Sequence, residues 1–234
     1  ITLNEIKKYE RIVNKTGLKL TLFEAITMIY LLAVNNQKQI DYNLVESGLL
    51  FKGDCTRLWD IPKAQVITNI NYAHAKNFKN LKQIALAKSE IINNTKDNGF
   101  IILNADDNFF ALHKKLAIRK NLKILSFGIK SKNSNIKLIN IKKVAKRFKA
   151  TIEINNLKTY FLIPNDFQNN ILNILAALAV MSIFLDISKI NKNIFINFET
   201  PKGRGDISKI RIDNKNLNLI DESYNSNPLS LKSA

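Results

Sequence analysis

Residues 100–127 read FIILNADDNFFALHKKLAIRKNLKILSF. The apolar run at 100–103 predicts a short buried strand, and the polar turn NADD ends it. An amphipathic pattern over 108–119 predicts a helix, and residues 122–127 predict a second strand. Parallel strands are joined by crossovers that usually contain a helix, so this order of elements predicts a strand–helix–strand unit of a parallel sheet.

The alternation of helices and strands continues on both sides of this unit. Leu20 to Val34 is apolar at a helical period, and Thr21 and Glu24 have the spacing of a capping box. Further helices are predicted at 81–92, 167–185 and 187–198, and further strands at 41–46 and 64–70.

Residues 137–163 change to the two-residue alternation of strands. They predict antiparallel strands joined at Asn155-Asn156. A break at 201–205 is followed by two more predicted strands, at 207–212 and 217–220, with a predicted turn at Asp213-Asn214 between them. The chain is therefore predicted to be an α/β protein with a mainly parallel sheet flanked by helices and a small antiparallel β insertion.

The 234 residues carry a net charge of +17. A surplus of this size is typical of nucleic-acid-binding proteins. The chain also contains 34 Ile, 32 Asn and 30 Lys but only 6 Arg, a composition typical of A/T-rich codons, and its lysines are scattered. Compositional bias explains the charge, so we expect no nucleic-acid partner. A basic nucleic-acid-binding protein remains the alternative from another class of function.

Cysteine usage and hydropathy limit the setting in which the chain works. The single cysteine, Cys55, excludes a disulfide or a cysteine metal cluster within these residues. It suits a reducing cytoplasm, which is the expected location. No apolar run reaches the roughly 18 residues that span a bilayer, so we expect no membrane partner.

Ligands of parallel sheets bind at the carboxyl ends of strands. The polar residues at the predicted ends are Glu46, Thr68, Asn69, Asn104 and Asp221. A carboxylate at Glu46 suits a hard cation such as Mg²⁺, with a surface acid before a turn as the simpler interpretation. His74, in the loop after 64–70, suits a metal ligand or an acid–base group, with a structural histidine as the alternative.

Two further basic side chains lie on predicted helices. Lys88 falls on the apolar face of helix 81–92, where a buried ammonium is costly unless it is paired or neutralised. Carbamylation would convert Lys88 into a carboxylate-like metal ligand; the alternative is a side chain whose stem reaches out to water. His113 lies among lysines in helix 108–119 and is predicted to be on the solvated face.

Amide, guanidinium and carboxylate groups in the last third of the chain suit a nucleotide. Asn170 and Asn173 share a predicted helical face and suit contacts to an adenine edge, with N-capping as the alternative. Arg204, in a glycine-flanked loop, suits a phosphate or is a surface arginine. Asp221 ends a strand, where an acid suits a ribose hydroxyl or caps a helix.

Four blocks occur in order over about 160 residues. They are VITNI at 66–70 with Ala73-His74, IALAKSEI at 84–91, NNILNILAA at 169–177, and Gly203-Arg204 followed by IDESYNSNP at 220–228. Together they resemble the motifs of the Mur ligase family, ATP-dependent enzymes that join an acid to an amino acid. The resemblance implies the P-loop-type central domain of that family and the start of a second α/β domain.

The motifs resemble two branches of this family. IDESYNSNP and the stretch NADDNFF at 104–110 resemble the branch that adds D-alanyl-D-alanine to a UDP-muramoyl peptide in peptidoglycan synthesis. LTLFEA at 20–25 and VESGLL at 45–50 resemble folylpolyglutamate synthase, which adds glutamate to folate. LFK stands at 50–52 where that enzyme has Gly-Gly-Arg. The mixture leaves open a divergent member or a join of two reading frames.

The resemblance implies a role for each matching residue. Glu46 and His74 match Mg²⁺ ligands near the γ-phosphate of ATP, and Lys88 matches a carbamylated lysine that helps to hold a second Mg²⁺. His74 and Lys88 are thus the implied catalytic residues. The residues implied to contact ATP are Asn170 and Asn173 at the adenine, and Arg204 and Asp221 at the phosphate and ribose.

The implied reaction forms an acyl phosphate, from which an amine then displaces phosphate. The family's phosphate loop G-x-x-G-x-G-K-[ST] is not among these 234 residues, so we expect a fragment. Residues 1–200 are expected to be the ATP-binding central domain without that loop, and 201–234 the beginning of a truncated C-terminal ligase domain. We expect a monomer that is inactive as this fragment alone. An inactive nucleotide-binding relic is a further alternative.

Overall fold

The computed structural model describes residues 3–37, 39–47, 54–55, 62–71, 78–198, 201–204, 206–221 and 223–224. The chain divides into two compact units, Ile1–Pro62 and Lys63–Ala234. No helix in the described ranges is both long enough and apolar enough to cross a bilayer.

The first unit contains two helices that pack on each other, α1 (Leu3–Lys15) and α2 (Leu22–Asn35). The predicted capping box is confirmed: the Glu24 carboxylate accepts the Thr21 N–H at 2.8 Å, and the Thr21 hydroxyl accepts the Glu24 N–H at 3.3 Å. Helix α1 was not among the predicted elements. Its buried residues Tyr9 and Val13 lie four apart, which is the spacing of one helical face.

The predicted strand at 41–46 is wrong. These residues have no regular structure and are exposed throughout. A strand needs a hydrogen-bonded neighbour, and no described strand pairs with this segment.

The second unit is built on a six-stranded sheet whose spatial order follows the sequence. Its strands are β1 (Ala64–Ile67), β2 (Phe100–Asn104), β3 (Lys123–Gly128), β4 (Ile136–Val144), β5 (Arg147–Ile154) and β6 (Leu157–Ile163). The first four strands are parallel to their neighbours, and β5 and β6 are antiparallel additions. This confirms the predicted parallel sheet with an antiparallel insertion.

Helices connect the parallel strands as crossovers. Helices α3 (Leu81–Lys88) and α4 (Glu90–Asn93) lie between β1 and β2, and α5 (Phe110–Arg119) lies between β2 and β3. The single helix predicted at 81–92 is instead divided at Ser89, whose hydroxyl donates to the Leu86 carbonyl at 2.6 Å. A side-chain hydroxyl that bonds a carbonyl of the preceding turn competes with the helical ladder.

Both faces of the sheet are covered. Ile101, Ile102 and Leu103 are consecutive in β2 and all buried, although successive side chains point to opposite faces. Helix α6 (Gln168–Phe184) contacts β2, β3 and β4, and α5 contacts β2 and β3. The core cluster that includes Ile102 also contains Leu175 of α6, so α6 covers that face.

Two antiparallel hairpins have the predicted turns. Asn155 and Asn156 join β5 to β6 with φ of 48° and 71°. A separate hairpin, β7 (Asp206–Ile212) with β8 (Lys215–Asp221), turns at Asp213 and Asn214 with φ of 47° and 60°. Left-handed backbone at both central residues is typical of two-residue hairpin turns, and Asn and Asp tolerate it better than other side chains.

The helix predicted at 187–198 is wrong. The structure has a single 3₁₀ turn at Ile187–Lys189 and further turns up to residue 197. The Asp186 carboxylate accepts the Ser188 N–H at 3.0 Å, and the Asn191 side chain accepts the Asn193 N–H at 2.9 Å. Such side-chain-to-backbone turns satisfy donors that a continuous helix would have bonded internally.

Candidate functional site

The turn after β2 lies at the carboxyl end of the parallel sheet, where α/β proteins bind ligands. Asn104, the last residue of β2, is buried, and its side-chain oxygen accepts the Asp106 N–H at 2.9 Å. The Ala105 N–H donates to the carbonyl of Phe127 in β3 at 2.7 Å. These two hydrogen bonds fix the start of the turn, and the first of its residues is bonded to the neighbouring strand. The two acids of the turn, Asp106 and Asp107, follow directly.

The Asp106 carboxylate holds the loop that follows β3. It accepts three consecutive backbone N–H groups, from Ile129 at 2.6 Å, Lys130 at 3.0 Å and Ser131 at 2.8 Å. Hydrogen bonds to an ionised acceptor are the strong ones. Asp106 therefore fixes the path of the chain on one side of β2.

The Asp107 carboxylate holds the segment on the other side of β2. One oxygen accepts the Ile70 N–H, just after β1, and the other accepts the Phe109 N–H, each at 2.8 Å. Two adjacent acids thus fix the loops that follow both flanking strands. Neither acid was among the residues predicted to have a role, although their position directly after a buried strand is a signal in the sequence.

Lys88 is the last residue of α3 and is half-buried. Burial lowers its pKa. Among the described residues, no hydrogen bond or ion pair is made by its ammonium group. A lowered pKa increases the share of the neutral amine, which is the form that reacts as a nucleophile.

The prediction that His113 lies on the solvated face of α5 is wrong, because the residue is buried. It is 2% exposed, and its Nε2–H donates to the Ala85 carbonyl of α3 at 3.0 Å. Burial lowers the pKa of His113. That hydrogen bond and the negative charge of Asp107 act in the opposite direction, and the effect of burial is the larger one. The lysines beside it, Lys114 and Lys115, are exposed, so α5 turns His113 towards α3 and the lysines towards water.

The described residues include only part of the predicted Mg²⁺ ligand set. Glu46 is an exposed residue of the first unit and follows no strand. His74 lies outside the described residues. Within the described ranges, no group of three His, Cys, Asp or Glu side chains is placed to hold a metal ion.

The two predicted adenine-contacting amides differ in exposure. Asn170 is 7% exposed, and its Nδ2 donates to the Asn165 side-chain oxygen at 3.1 Å. Asn173, one turn further along α6, is exposed. Helical spacing alone predicted a shared face; packing of the first turn of α6 buries one amide and leaves the other accessible.

Arg204 and Asp221 lie at the same end of the β7–β8 hairpin. Asp221 pairs in register with Asp206, two residues after Arg204. The Tyr224 N–H donates to the Gly203 carbonyl at 2.9 Å, and the Arg204 guanidinium carbon lies 4.4 Å from the centre of the Tyr224 ring. This stacking holds an exposed guanidinium in one orientation.

A carboxylate and a glycine shape this end of the hairpin. The Ser223 hydroxyl and backbone N–H, which donates at 2.9 Å, lower the pKa of Asp221. Gly203 has a φ of 76°, and a Cβ there would lie 2.9 Å from the Tyr224 Cβ. A residue with a side chain would meet both backbone strain and a clash, so the turn requires glycine.

A mainly parallel sheet with crossover helices, and polar side chains at its carboxyl end, define an α/β protein of the class that binds ligands at this edge of the sheet. The Mur ligase middle domain family model matches residues 4–181. The chain therefore belongs to the Mur ligase middle domain family.

Similar proteins and solved structures are ligases of the same kind by name. The chain is 34% identical over 202 residues to the UDP-N-acetylmuramoyl-tripeptide–D-alanyl-D-alanine ligase of Rickettsia prowazekii, an alignment that covers 83% of this chain and 43% of that protein. The crystal structure of MurF from Acinetobacter baumannii matches with a TM-score of 0.72 at 22% identity, covering 90% of this chain and 44% of that one.

An FPGS variant from L. casei matches less closely, with a TM-score of 0.62 at 18% identity over 75% of this chain and 42% of that one. At such identities the solved structures show a shared fold. The chain spans less than half the length of the relatives it matches.

Proposed function

We propose that the protein containing this chain is an ATP-dependent amide-bond ligase that adds D-alanyl-D-alanine to a UDP-muramoyl peptide. The observation that carries the proposal is the Mur ligase family match over residues 4–181, together with the ligase from R. prowazekii at 34% identity. The proposed place of the reaction is the synthesis of a peptidoglycan precursor.

The proposed reaction has two steps. A carboxylate oxygen of the acceptor attacks the γ-phosphorus of ATP, the bond to the bridging oxygen breaks, and ADP leaves. The amine of the incoming dipeptide then attacks the acyl carbon of the acyl phosphate. The tetrahedral intermediate expels inorganic phosphate, and the amine loses a proton.

The described residues fit a nucleotide at the hairpin end. Arg204 presents an exposed guanidinium held against Tyr224, and a guanidinium matches the geometry of phosphate oxygens. Hydrogen bonds from Ser223 lower the pKa of Asp221, and its carboxylate suits a ribose hydroxyl. We propose that these residues contact ATP together with the exposed amide of Asn173 and the buried amide of Asn170.

This chain supplies some of the side chains that could bind Mg²⁺. Glu46 is exposed, and a carbamate on Lys88 would add carboxylate-like oxygens of the kind that Mg²⁺ prefers. We propose Glu46 and His74 as ligands of one Mg²⁺ and Lys88 as a ligand of a second, with His74 and Lys88 as the catalytic residues. When bound, the ions would neutralise charge on the transferred phosphoryl group.

The environment of Lys88 supports the proposed carbamate. Its half-buried amine has a lowered pKa, and the lone pair of a neutral amine attacks the carbon of CO₂. A C–N bond forms, a carboxylate is left, and the proton goes to solvent. Protein equilibrated with ¹³C-bicarbonate is expected to show a carbamate carbon signal in NMR that disappears in Lys88→Gln but persists in Lys82→Gln, an exposed lysine of the same helix.

The domain organisation is also proposed. Residues 1–200 would be the central ATP-binding domain, and 201–234, with the β7–β8 hairpin, the beginning of the C-terminal ligase domain. Genomic sequence on both sides tests this. An in-frame G-x-x-G-x-G-K-[ST] upstream supports the proposal, and a genuine start codon with no such loop contradicts it.

We further propose a monomeric enzyme of the cytoplasm, where the single cysteine, Cys55, would remain reduced. Gel filtration of the full-length protein and fractionation of its native cells test these two points. Elution at twice the monomer mass or recovery outside the cytoplasm would contradict them.

Folylpolyglutamate synthase activity is the second candidate. The stretches at 20–25 and 45–50 favour it, since they resemble that branch. One experiment decides between the two activities. The full-length protein is incubated with ATP and each substrate pair in turn, and the products are identified by mass spectrometry. A UDP-muramoyl pentapeptide with stoichiometric ADP supports the first proposal, and a glutamylated folate overturns it in favour of the second.

The same experiment separates the remaining alternatives. An inactive relic would give no product with either pair, and ATP would bind poorly. A nucleic-acid-binding protein would give no product but would bind DNA or RNA with an affinity that falls steeply with salt. Either result overturns the ligase proposal.

A further inference from the structure

We propose that His113 is a positioning residue for Lys88. By donating to the Ala85 carbonyl, its imidazole fixes the point at which α3 ends and so sets the place of the lysine at that end. The inference rests on the proposed role of Lys88 and adds a residue from a different helix to it.

The Ala85 carbonyl accepts two donors rather than one. The Ser89 N–H donates to it at 3.0 Å, as in an ordinary helix, and the His113 Nε2–H donates from α5 at 3.0 Å. The intrahelical bond is intact, so the imidazole adds a link from α5 to this turn of α3 without displacing the helical hydrogen bond. The division between α3 and α4 falls at Ser89, four residues after the doubly bonded carbonyl.

Burial makes this contact hard to replace. Ala85 is 0% exposed and His113 is 2% exposed, so water has no access to take over the hydrogen bond. Loss of the imidazole donor would leave a buried carbonyl with only its helical partner and would remove the hydrogen bond that joins α3 to α5. We expect the end of α3 to move once that bond is lost.

Lys88 lies three residues after Ala85, on the same side of the helix. Its side chain is half-buried and makes no hydrogen bond or ion pair with the other described residues. No polar contact in that part of the chain holds its ammonium group, so its position depends on the end of α3 and on packing around the side chain. A movement of the helix end is therefore passed directly to Lys88.

Three variants of the full-length protein test the proposal. His113→Phe fills the volume without a donor, whereas the side-chain amide of His113→Gln supplies one. Ile163→Val, in the distant strand β6, is a control for a modest loss of core packing. The first readout is the ¹³C-carbamate signal of Lys88 at a fixed bicarbonate concentration.

We expect the carbamate signal to fall to about a fifth in His113→Phe, and to stay near the wild-type value in His113→Gln and Ile163→Val. A full signal in His113→Phe would overturn the proposal. So would an equal loss in Ile163→Val, because that would show a response to stability alone.

A second readout does not depend on carbamylation. Acetylation of Lys88 is measured by mass spectrometry relative to the exposed Lys82 of the same helix. We expect a several-fold faster relative rate in His113→Phe and rescue in His113→Gln. An unchanged rate overturns the positioning role. If the wild-type protein carries no carbamate but this rate responds, the proposed carbamate fails while the positioning role of His113 stands.

Discussion

Asp107 accepts the backbone N–H of Ile70 at 2.8 Å, and this bond joins the turn after β2 to the segment that follows β1. Its other oxygen accepts the Phe109 N–H at the start of α5. One carboxylate therefore fixes two connections at the carboxyl edge of the sheet, and the segment beyond Ile70 leads in sequence to His74, a proposed ligand.

Replacing Asp107 by alanine removes both acceptors. We expect the free energy of unfolding to fall by about 2–3 kcal/mol, because two backbone donors lose a charged partner. Urea unfolding measures this, and hydrogen exchange of the Ile70 amide should accelerate. Asp97→Ala, which breaks an exposed pair with Lys120, is the control and should have little effect. Equal effects of the two variants would contradict the assigned role.

Gly128 is expected to resist substitution because of Asp106. A Cβ at residue 128 would lie 2.8 Å from the Asp106 carboxylate and 3.1 Å from the Ser134 hydroxyl. Gly128→Ala should lower the free energy of unfolding by about 1–3 kcal/mol. The cost should shrink when Asp106→Ala is already present, which a double-mutant cycle measures. Strictly additive effects would show that the two residues do not interact.

The stability of the protein is expected to depend on pH through His113. Burial keeps its pKa in the folded state below that of the unfolded chain, so the unfolded state binds the proton first as the pH falls. The contribution of His113 to the free energy of unfolding is fully present above the pKa of the unfolded chain, about 6.5. That contribution is lost as the pH falls towards the pKa of the folded state. Urea midpoints from pH 8 to 5 should therefore fall more in the wild type than in His113→Gln. Parallel profiles would contradict this.

Lys88 is expected to be replaceable by an external carboxylate if it acts as a carbamate. Lys88→Ala in the full-length protein should lose ligation, and short carboxylic acids should restore part of the activity. Ligation rates with increasing acetate or formate measure the rescue. Lys82→Ala, in the same helix, should keep full activity. An unimpaired Lys88→Ala enzyme would contradict the role of the lysine.

Local sequence signals predicted the elements that local chemistry determines. The turn at Asn155-Asn156 followed from residues that accept a left-handed backbone, and the start of α2 followed from Thr21 and Glu24. Alternation of buried strands and helices was sufficient for the parallel sheet because β2 is apolar on both faces.

The features that the sequence did not predict depend on contacts between elements. His113 was expected in solvent because lysines surround it in sequence, but the side of α5 that is buried depends on α3. The strand expected at 41–46 lacks a described partner, and side-chain-to-backbone turns replace the helix expected at 187–198. The clustering of Arg204, Asp221 and Tyr224 likewise requires the hairpin register.

Oxygen-isotope transfer tests most directly whether the protein makes the proposed amide bond through an acyl phosphate. The full-length enzyme is supplied with ATP, D-alanyl-D-alanine and a UDP-muramoyl peptide whose reacting carboxylate carries ¹⁸O, and each phosphorus product is examined by mass spectrometry. We expect one ¹⁸O atom to be transferred to inorganic phosphate for each amide bond formed, with ADP unlabelled. Label in AMP, or amide formation with unlabelled phosphate, would contradict the acyl phosphate.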